Sequence, residues 1–177
     1  KEREQEPFDR EAEAAGIRYH AVPMFDNIQS NDGTEEFPSS LHDLYIRMLD
    51  RNGDQIREVL REFLKNEEGC CLFNCTAGKD RTGVIAMLLL GLADVEDDTI
   101  IADYSVSAEN MKPLFEGQIR AMKQAGYGNL CFLLESDPED MRLTLRFLKE
   151  RYGNARKYLA NLLTEDEVER LGRMLAG

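Results

Sequence analysis

The sequence lacks both the long apolar run and the excess of positive charge that mark two broad classes of protein. Its longest uninterrupted apolar run is the seven residues 84–90, whereas a membrane-spanning helix needs about 20. It has 34 acidic and 22 basic residues and a net charge of -12, the wrong sign for non-specific binding to nucleic acid or an anionic membrane. We therefore expect no transmembrane segment and no nucleic-acid partner, and a local positive feature must hold any anionic substrate.

Histidine, glycine and proline are also scarce. The two histidines, His20 and His42, do not have the spacing of a zinc ligand set, so we expect no metal and no cofactor. The 13 glycines and 5 prolines are too few for a low-complexity chain, and 42% hydrophobic residues are too many for disorder. A length of 177 residues suits one globular domain, and no feature of the sequence specifies an oligomeric state.

Four cysteines are present, but their spacing is not that of a disulfide framework. Cys70, Cys71 and Cys75 lie within six residues, and Cys131 is distant; neighbours on a strand point to opposite faces and do not bridge. Free thiols are typical of a reducing compartment, so we expect a cytoplasmic protein, with a secreted effector as the alternative. The spacing of Cys71 and Cys75 also leaves a thiol redox function open.

Apolar periodicity predicts a largely helical chain around a few strands. Alternation over residues 16–23 predicts a short strand, and the apolar run 70–73 predicts a central strand. Helical spacing predicts two helices within residues 41–64, joined near Gly53. Further helices are predicted at 82–92, 98–110, 113–124, 138–152, 154–163 and 165–175.

Residues 74–83 stand between the predicted central strand and the next helix. A tight loop containing Gly78, followed by a helix N-terminus, is the arrangement that binds anions, because backbone N–H groups converge where the helix dipole is positive. It is not a nucleotide-binding P-loop: that signature needs glycine and Ser or Thr where this chain has Phe73 and Asp80. The segment therefore predicts a phosphate-binding loop of another kind.

Cys75 and Arg81 have the spacing Cys-x5-Arg across this loop. Amide dipoles and the helix terminus lower the pKa of a thiol in that position, which makes Cys75 a candidate nucleophile. The planar fork of Arg81 is suited to two phosphoryl oxygens, and the Thr82 hydroxyl can donate to the cysteine sulfur. The alternative to a catalytic loop is a purely structural tight turn, with a buried cysteine and a solvated Lys-Asp-Arg run.

The string Asn-Cys-Thr-Ala-Gly-Lys-Asp-Arg-Thr-Gly at residues 74–83 resembles the loop of cysteine-dependent phosphatases, His-Cys-x5-Arg-Ser/Thr. It is most similar to the bacterial atypical tyrosine and dual-specificity phosphatases, which overlap with phosphoinositide phosphatases. The similarity continues through residues 100–104, 152–153 and 158–171, and so spans most of the chain.

This resemblance implies an α/β, protein tyrosine phosphatase-like three-layer fold, with a central sheet flanked by helices and a helix-rich C-terminal part. It implies hydrolysis of phosphomonoesters through a phosphocysteine intermediate, acting on phosphotyrosine and also on phosphoserine, phosphothreonine or phosphoinositides. The substrate partner is then a phosphorylated protein or a phosphoinositide. The expected catalytic residues are Cys75, Arg81 and Asp80, and the expected phosphate-binding residues are Thr76, Ala77, Gly78, Lys79 and Thr82.

The chain departs from the family pattern in two places. Asn74 stands where the family usually has histidine, which leaves a catalytically weak phosphate-binding module as the alternative function. Family members also usually open with strands and a helix before the stretch that matches residues 4–23. We therefore expect a single phosphatase domain over residues 1–177 that lacks those strands, through fragmentation, clipping or supply from elsewhere.

The general acid has three candidates. The resemblance assigns the role to Asp80, inside the loop, while Asp26 and Asp43 lie in the region where other branches carry a mobile acid loop. For Asp103 the alternatives are a brace for Arg81 and a charge on a helix surface. Residues 111–134 form either a helical lid over the site, as in relatives, or ordinary core packing.

Overall fold

The computed structural model describes residues 12, 14–24, 37–66 and 69–176, and helices dominate this part of the chain. In chain order they are α1 (Leu41–Arg51), α2 (Gly53–Leu64), α3 (Asp80–Leu92), α4 (Asp97–Gln124), a 3-10 helix (Gly128–Leu134), α5 (Pro138–Tyr152), α6 (Ala155–Ala160) and α7 (Glu165–Ala176). Among the residues described, no helix is both long and apolar enough to cross a membrane.

The prediction of a three-layer α/β fold around a central sheet is wrong for these residues, which contain no β-strand. Residues 70–75 have no regular secondary structure, but the exposure of their side chains alternates as it would on a strand: Cys71 and Phe73 are half-buried, whereas Leu72 is 90% exposed. The Phe73 ring packs against Phe63 of α2 at 5.4 Å between centroids. Alternation predicts an extended backbone, but a sheet also needs a neighbouring strand for its hydrogen bonds, and the described residues supply none.

The strand predicted at residues 16–23 is also absent from the structure, because no described segment pairs with it. Its side chains, rather than a backbone ladder, attach it to α2 and the turn that follows. The Arg18 guanidinium donates to the Asn66 side chain at 3.1 Å, and His20 bonds Glu58 at 2.9 Å. The segment is therefore extended chain lying along a helix.

The helix predictions agree with the structure better than the strand predictions do, because capping residues mark where a helix starts. The Ser40 side chain caps α1 by accepting from the Asp43 N–H. Thr164 and Glu167 form a reciprocal capping box at the start of α7, with bonds of 3.2 and 2.9 Å. The predicted break near Gly53 is confirmed at Asn52, between α1 and α2.

One helix differs from its prediction. Two helices separated before Pro113 were expected, but α4 runs unbroken through this proline. Proline removes one backbone donor, so the Glu109 carbonyl loses its usual partner. Glu109 is exposed, and water can therefore satisfy that carbonyl and the helix continues.

Helix α3 occupies the centre of the described structure. It is apolar on nearly all sides and packs against α1, α4 and α6. Its buried residues are Val84, Ile85, Met87, Leu88, Leu89 and Leu92. The N-terminus of this central helix carries the loop of interest, so the core holds the loop in place.

The crossing of α3 and α6 gives a test of this packing. A Cβ added at Gly91 would lie 2.9 Å from the Cβ of Ala155, so Gly91→Ala should destabilise the protein by about 1–3 kcal/mol through overpacking. Gly117→Ala is the matched control, because this exposed position of α4 has no described atom within 4 Å of an added Cβ. The control should be stabilised by up to about 1 kcal/mol, as measured by urea unfolding. Equal stability of Gly91→Ala and wild type would contradict the packing.

Candidate active site

The loop at residues 75–79 turns the extended segment into the N-terminus of α3. Gly78 has φ +65, in the left-handed region that glycine adopts without strain. Helix α3 begins at Asp80, and its first N–H groups have no partner within the helix. The N–H groups of Lys79 and Thr82 reach the sulfur of Cys75. The cysteine is thus surrounded by donors at the positive end of a helix dipole.

These donors decide the protonation of Cys75. Burial is the largest single influence and raises the pKa of the thiol. The Thr82 side chain and the two backbone N–H groups act the other way, together with the charge of Arg81. Their combined effect is larger than that of burial, and the pKa of Cys75 lies below its ordinary value. The nucleophilic thiolate is therefore favoured.

This lowered pKa predicts selective alkylation. Because the thiolate persists to lower pH than an ordinary thiol, iodoacetamide should modify Cys75 before the other cysteines under mildly acidic conditions. Phosphate should protect Cys75 by occupying the loop, and mass spectrometry of peptides quenched over a pH series measures both effects. Exposed Cys70 is the internal control. If Cys70 reacted faster than Cys75 throughout that series, the electrostatic description of the loop would be wrong.

Arg81 closes the loop over its far side. Its guanidinium folds back and donates to the Thr76 hydroxyl at 2.9 Å. Thr76 and Arg81 are therefore joined within the loop that carries Cys75, and the N–H groups of Lys79 and Thr82 lie at the cysteine sulfur. A tetrahedral oxyanion is the ligand that such an arrangement of donors fits.

The Lys79 side chain is turned into the protein, where its ammonium meets one carboxylate oxygen of Asp80. The Lys79 side chain is only 1% exposed and its ammonium donates to the Asp80 carboxylate at 2.8 Å and to the Glu135 carbonyl at 2.6 Å. The Asp80 side chain is 18% exposed and also accepts from the Tyr45 hydroxyl at 2.7 Å. The loop is thereby fastened to α1 and to the segment before α5.

Two tyrosines also belong to this hydrogen-bonded group. The sequence analysis did not identify either of them as a site residue. The hydroxyls of Tyr45 and Tyr104 lie 2.8 Å apart, and their rings pack edge to face at 5.9 Å between centroids. Tyr45 was predicted only as one of the apolar positions of α1. Its hydroxyl was the feature of the sequence that could have indicated a polar role, because a buried tyrosine usually has a hydrogen-bond partner.

The remaining candidate residues lie elsewhere. Asp43 accepts two bonds from the Arg47 side chain, at 3.1 and 3.0 Å, in the first turn of α1. Asp103 is exposed on α4, and Asp26 lies outside the described residues. Asn74 is exposed and its amide donates to the Cys75 carbonyl at 3.4 Å. Of the two candidate acids that the structure describes, Asp80 is the first residue of α3, directly after the loop, and Asp43 lies on α1.

The predicted lid region is helical. Residues 111–124 form the second half of α4, and the 3-10 helix packs back against it. Phe115 and Cys131 are buried in this unit, while Leu114 is 60% exposed. In the part of the chain that the structure describes, no cluster of three His, Cys, Asp or Glu side chains is arranged to hold a metal ion.

A thiol of lowered pKa, backbone N–H groups at its sulfur and an arginine on the same loop are the features that a nucleophilic site for phosphate-like groups requires. The chain belongs to the tyrosine phosphatase family, whose model matches residues 1–177.

Two curated relatives share this similarity. A tyrosine-protein phosphatase of Nostoc commune is 33% identical over 147 residues, which cover 76% of this chain and 49% of the relative. A protein of Cupriavidus necator, named as a candidate tyrosine-protein phosphatase, is 34% identical over 139 residues, or 73% of this chain and 50% of the relative. The chain thus spans about half the length of the curated relatives it matches.

Proposed function

We propose that this chain hydrolyses phosphomonoesters, with phosphotyrosine as substrate, through a phosphocysteine intermediate on Cys75. The observation that carries the proposal is the Cys75 sulfur, which has a lowered pKa and lies among the N–H groups of a loop bordered by Arg81. Membership of the tyrosine phosphatase family supports the same reaction.

In the first step the Cys75 thiolate attacks phosphorus, and the bond from phosphorus to the leaving oxygen breaks. Asp80 gives a proton to that oxygen, which leaves as the alcohol or phenol. Loop N–H groups and the Arg81 fork stabilise the charge on the three equatorial oxygens. The products of this half-reaction are the dephosphorylated substrate and the phosphocysteine.

In the second step water attacks the phosphorus and transfers a proton to Asp80. The sulfur–phosphorus bond breaks, inorganic phosphate leaves and the thiolate is restored, helped by donation from the Thr82 hydroxyl. The balance needs only water and the substrate. Asp80 therefore serves first as an acid and then as a base.

The test is a substrate panel assayed with a chelator and without added metal. We expect turnover of p-nitrophenyl phosphate and phosphotyrosine peptides, with inhibition by vanadate. Phosphoserine and phosphothreonine peptides, together with phosphoinositides, test the broader specificity that the loop suggests. Absence of turnover on every member of the panel, in protein that still binds phosphate, would reject the proposal.

A second candidate is a catalytically weak phosphate-binding module, favoured by Asn74 at the position where the loop pattern that this chain resembles has histidine. Asn74→His should then raise kcat/KM on p-nitrophenyl phosphate by about tenfold, because an imidazole would support the loop and the thiolate better than an exposed amide. A variant no more active than wild type would show that asparagine is no handicap at this position. Asn161→His is the matched control, since this exposed asparagine lies after α6.

A further inference from the structure

A chain of buried polar groups leads from the core of the protein to the loop. It runs from the Tyr104 hydroxyl to the Tyr45 hydroxyl at 2.8 Å, on to Oδ1 of Asp80 at 2.7 Å, and from Oδ1 to the Lys79 ammonium at 2.8 Å. Its last bond joins Lys79 to the Glu135 carbonyl. Tyr45 is completely buried and Tyr104 almost so.

The direction of the bond between Tyr45 and Asp80 is fixed by chemistry. Burial, followed by the nearby charge of Asp80, raises the pKa of Tyr45 far above its ordinary value, so the hydroxyl keeps its proton. Tyr45 therefore donates to Asp80, and its own oxygen is left to accept from Tyr104. The two hydroxyls therefore form a hydrogen-bond chain that ends at the carboxylate.

These hydrogen bonds give the two carboxylate oxygens of Asp80 different roles. Oδ1 accepts from both Tyr45 and Lys79, and two donors from different directions hold the carboxylate in one rotamer. Oδ2 is thereby the oxygen left to carry a transferred proton. A carboxyl that delivers a proton in the transition state must be held in position beforehand, because small displacements are costly.

We propose that Tyr45 is a positioning residue of the reaction, whose hydroxyl, itself held by Tyr104, orients Asp80 so that Oδ2 delivers the proton to the leaving oxygen. The proposal rests on the proposed function, in which Asp80 is the acid. The same geometry assigns the Lys79 side chain to bracing the loop, while its backbone N–H faces the anion.

The test compares two substrates that differ in their need for an acid. Phenyl phosphate releases a strongly basic phenolate, which must be protonated, whereas p-nitrophenolate leaves readily without a proton. The readout is the ratio of kcat/KM for p-nitrophenyl phosphate to kcat/KM for phenyl phosphate. Tyr45→Phe should raise this ratio by about tenfold. Because both values come from one sample, a loss of folded protein cancels from the ratio.

Three variants complete the design. Asp80→Asn should raise the ratio at least as far as Tyr45→Phe, and Tyr104→Phe should raise it less, because the bond from Tyr45 to Asp80 stays in place. Tyr158→Phe is the matched control: this buried tyrosine donates to the Leu49 carbonyl at 2.8 Å, so its loss removes a buried hydroxyl without touching the loop. Its ratio should equal that of wild type.

The outcomes separate the two proposals. A wild-type ratio in Tyr45→Phe, whatever its absolute activity, overturns the positioning role and leaves the phosphatase proposal intact. A wild-type ratio in Asp80→Asn means that Asp80 is not the acid and overturns the positioning role as well. If the wild-type protein hydrolyses neither substrate, the proposed function fails and the positioning role fails with it.

Discussion

Cys75→Ser is expected to lower kcat on p-nitrophenyl phosphate by at least about a thousandfold, because it removes the nucleophile of the reaction. The donors around the sulfur lower the pKa of the thiol and so favour the thiolate, but the pKa of a serine hydroxyl is too high for the same donors to ionise it. A nearly isosteric hydroxyl also leaves the loop backbone unchanged. Activity should therefore disappear while binding of inorganic phosphate persists, as measured by calorimetry or a thermal shift.

The control for this prediction is Cys70→Ser, which alters an exposed thiol five residues earlier. It should retain wild-type kcat and wild-type phosphate binding. If Cys75→Ser kept more than a tenth of the activity, another group would be the nucleophile and the phosphocysteine mechanism would be wrong. If the variant lost phosphate binding as well, the cysteine would be needed to form the loop itself.

The loop could be predicted because its information is local. Cys75, Gly78 and Arg81 lie within seven residues, and the spacing alone brings the thiol and the guanidinium to one turn at a helix N-terminus. Helix boundaries were similarly readable where a capping side chain marks them, as at Thr164. Both features depend on neighbours a few residues away.

Features that depend on distant parts of the chain were missed. The apolar run 70–73 predicted a central strand, which the structure does not form, because a strand depends on a pairing segment elsewhere in the chain. Tyr45 and Tyr104 are 59 positions apart, and Lys79 meets the Glu135 carbonyl across 56. The family resemblance implied that Lys79 binds the phosphate, and only the fold shows its ammonium turned inward.

Because the Lys79 ammonium is buried, Arg81 becomes more important for binding phosphate. In the described part of the loop, residues 75–82 contain two basic side chains, and the ammonium of Lys79 is buried against Asp80. Arg81 is then the basic side chain at the open side of the loop, within a protein of net charge -12. Attraction of a phosphate dianion to this acidic protein should therefore depend strongly on Arg81 and on the backbone N–H groups.

Arg81→Lys should accordingly lower kcat/KM on p-nitrophenyl phosphate by about 100- to 10,000-fold, although the charge is kept. An ammonium is a point charge that cannot engage two phosphoryl oxygens with a planar fork, nor hold the Thr76 hydroxyl in the same geometry. Because the fork matters most when charge reorganises in the transition state, kcat should fall by a larger factor than KM rises. Steady-state kinetics of both parameters measures this split.

Two further variants test whether the effect comes from the guanidinium of Arg81 itself. Thr76→Ala removes the hydroxyl that accepts from Arg81 but leaves the guanidinium, and should cost only about two- to tenfold in kcat/KM. Arg142→Lys changes an exposed arginine paired with Glu139 on α5, and should leave both parameters unchanged. If Arg81→Lys retained more than a tenth of wild-type kcat/KM, charge alone would explain the role of Arg81, and the planar fork would be unnecessary for transition-state binding.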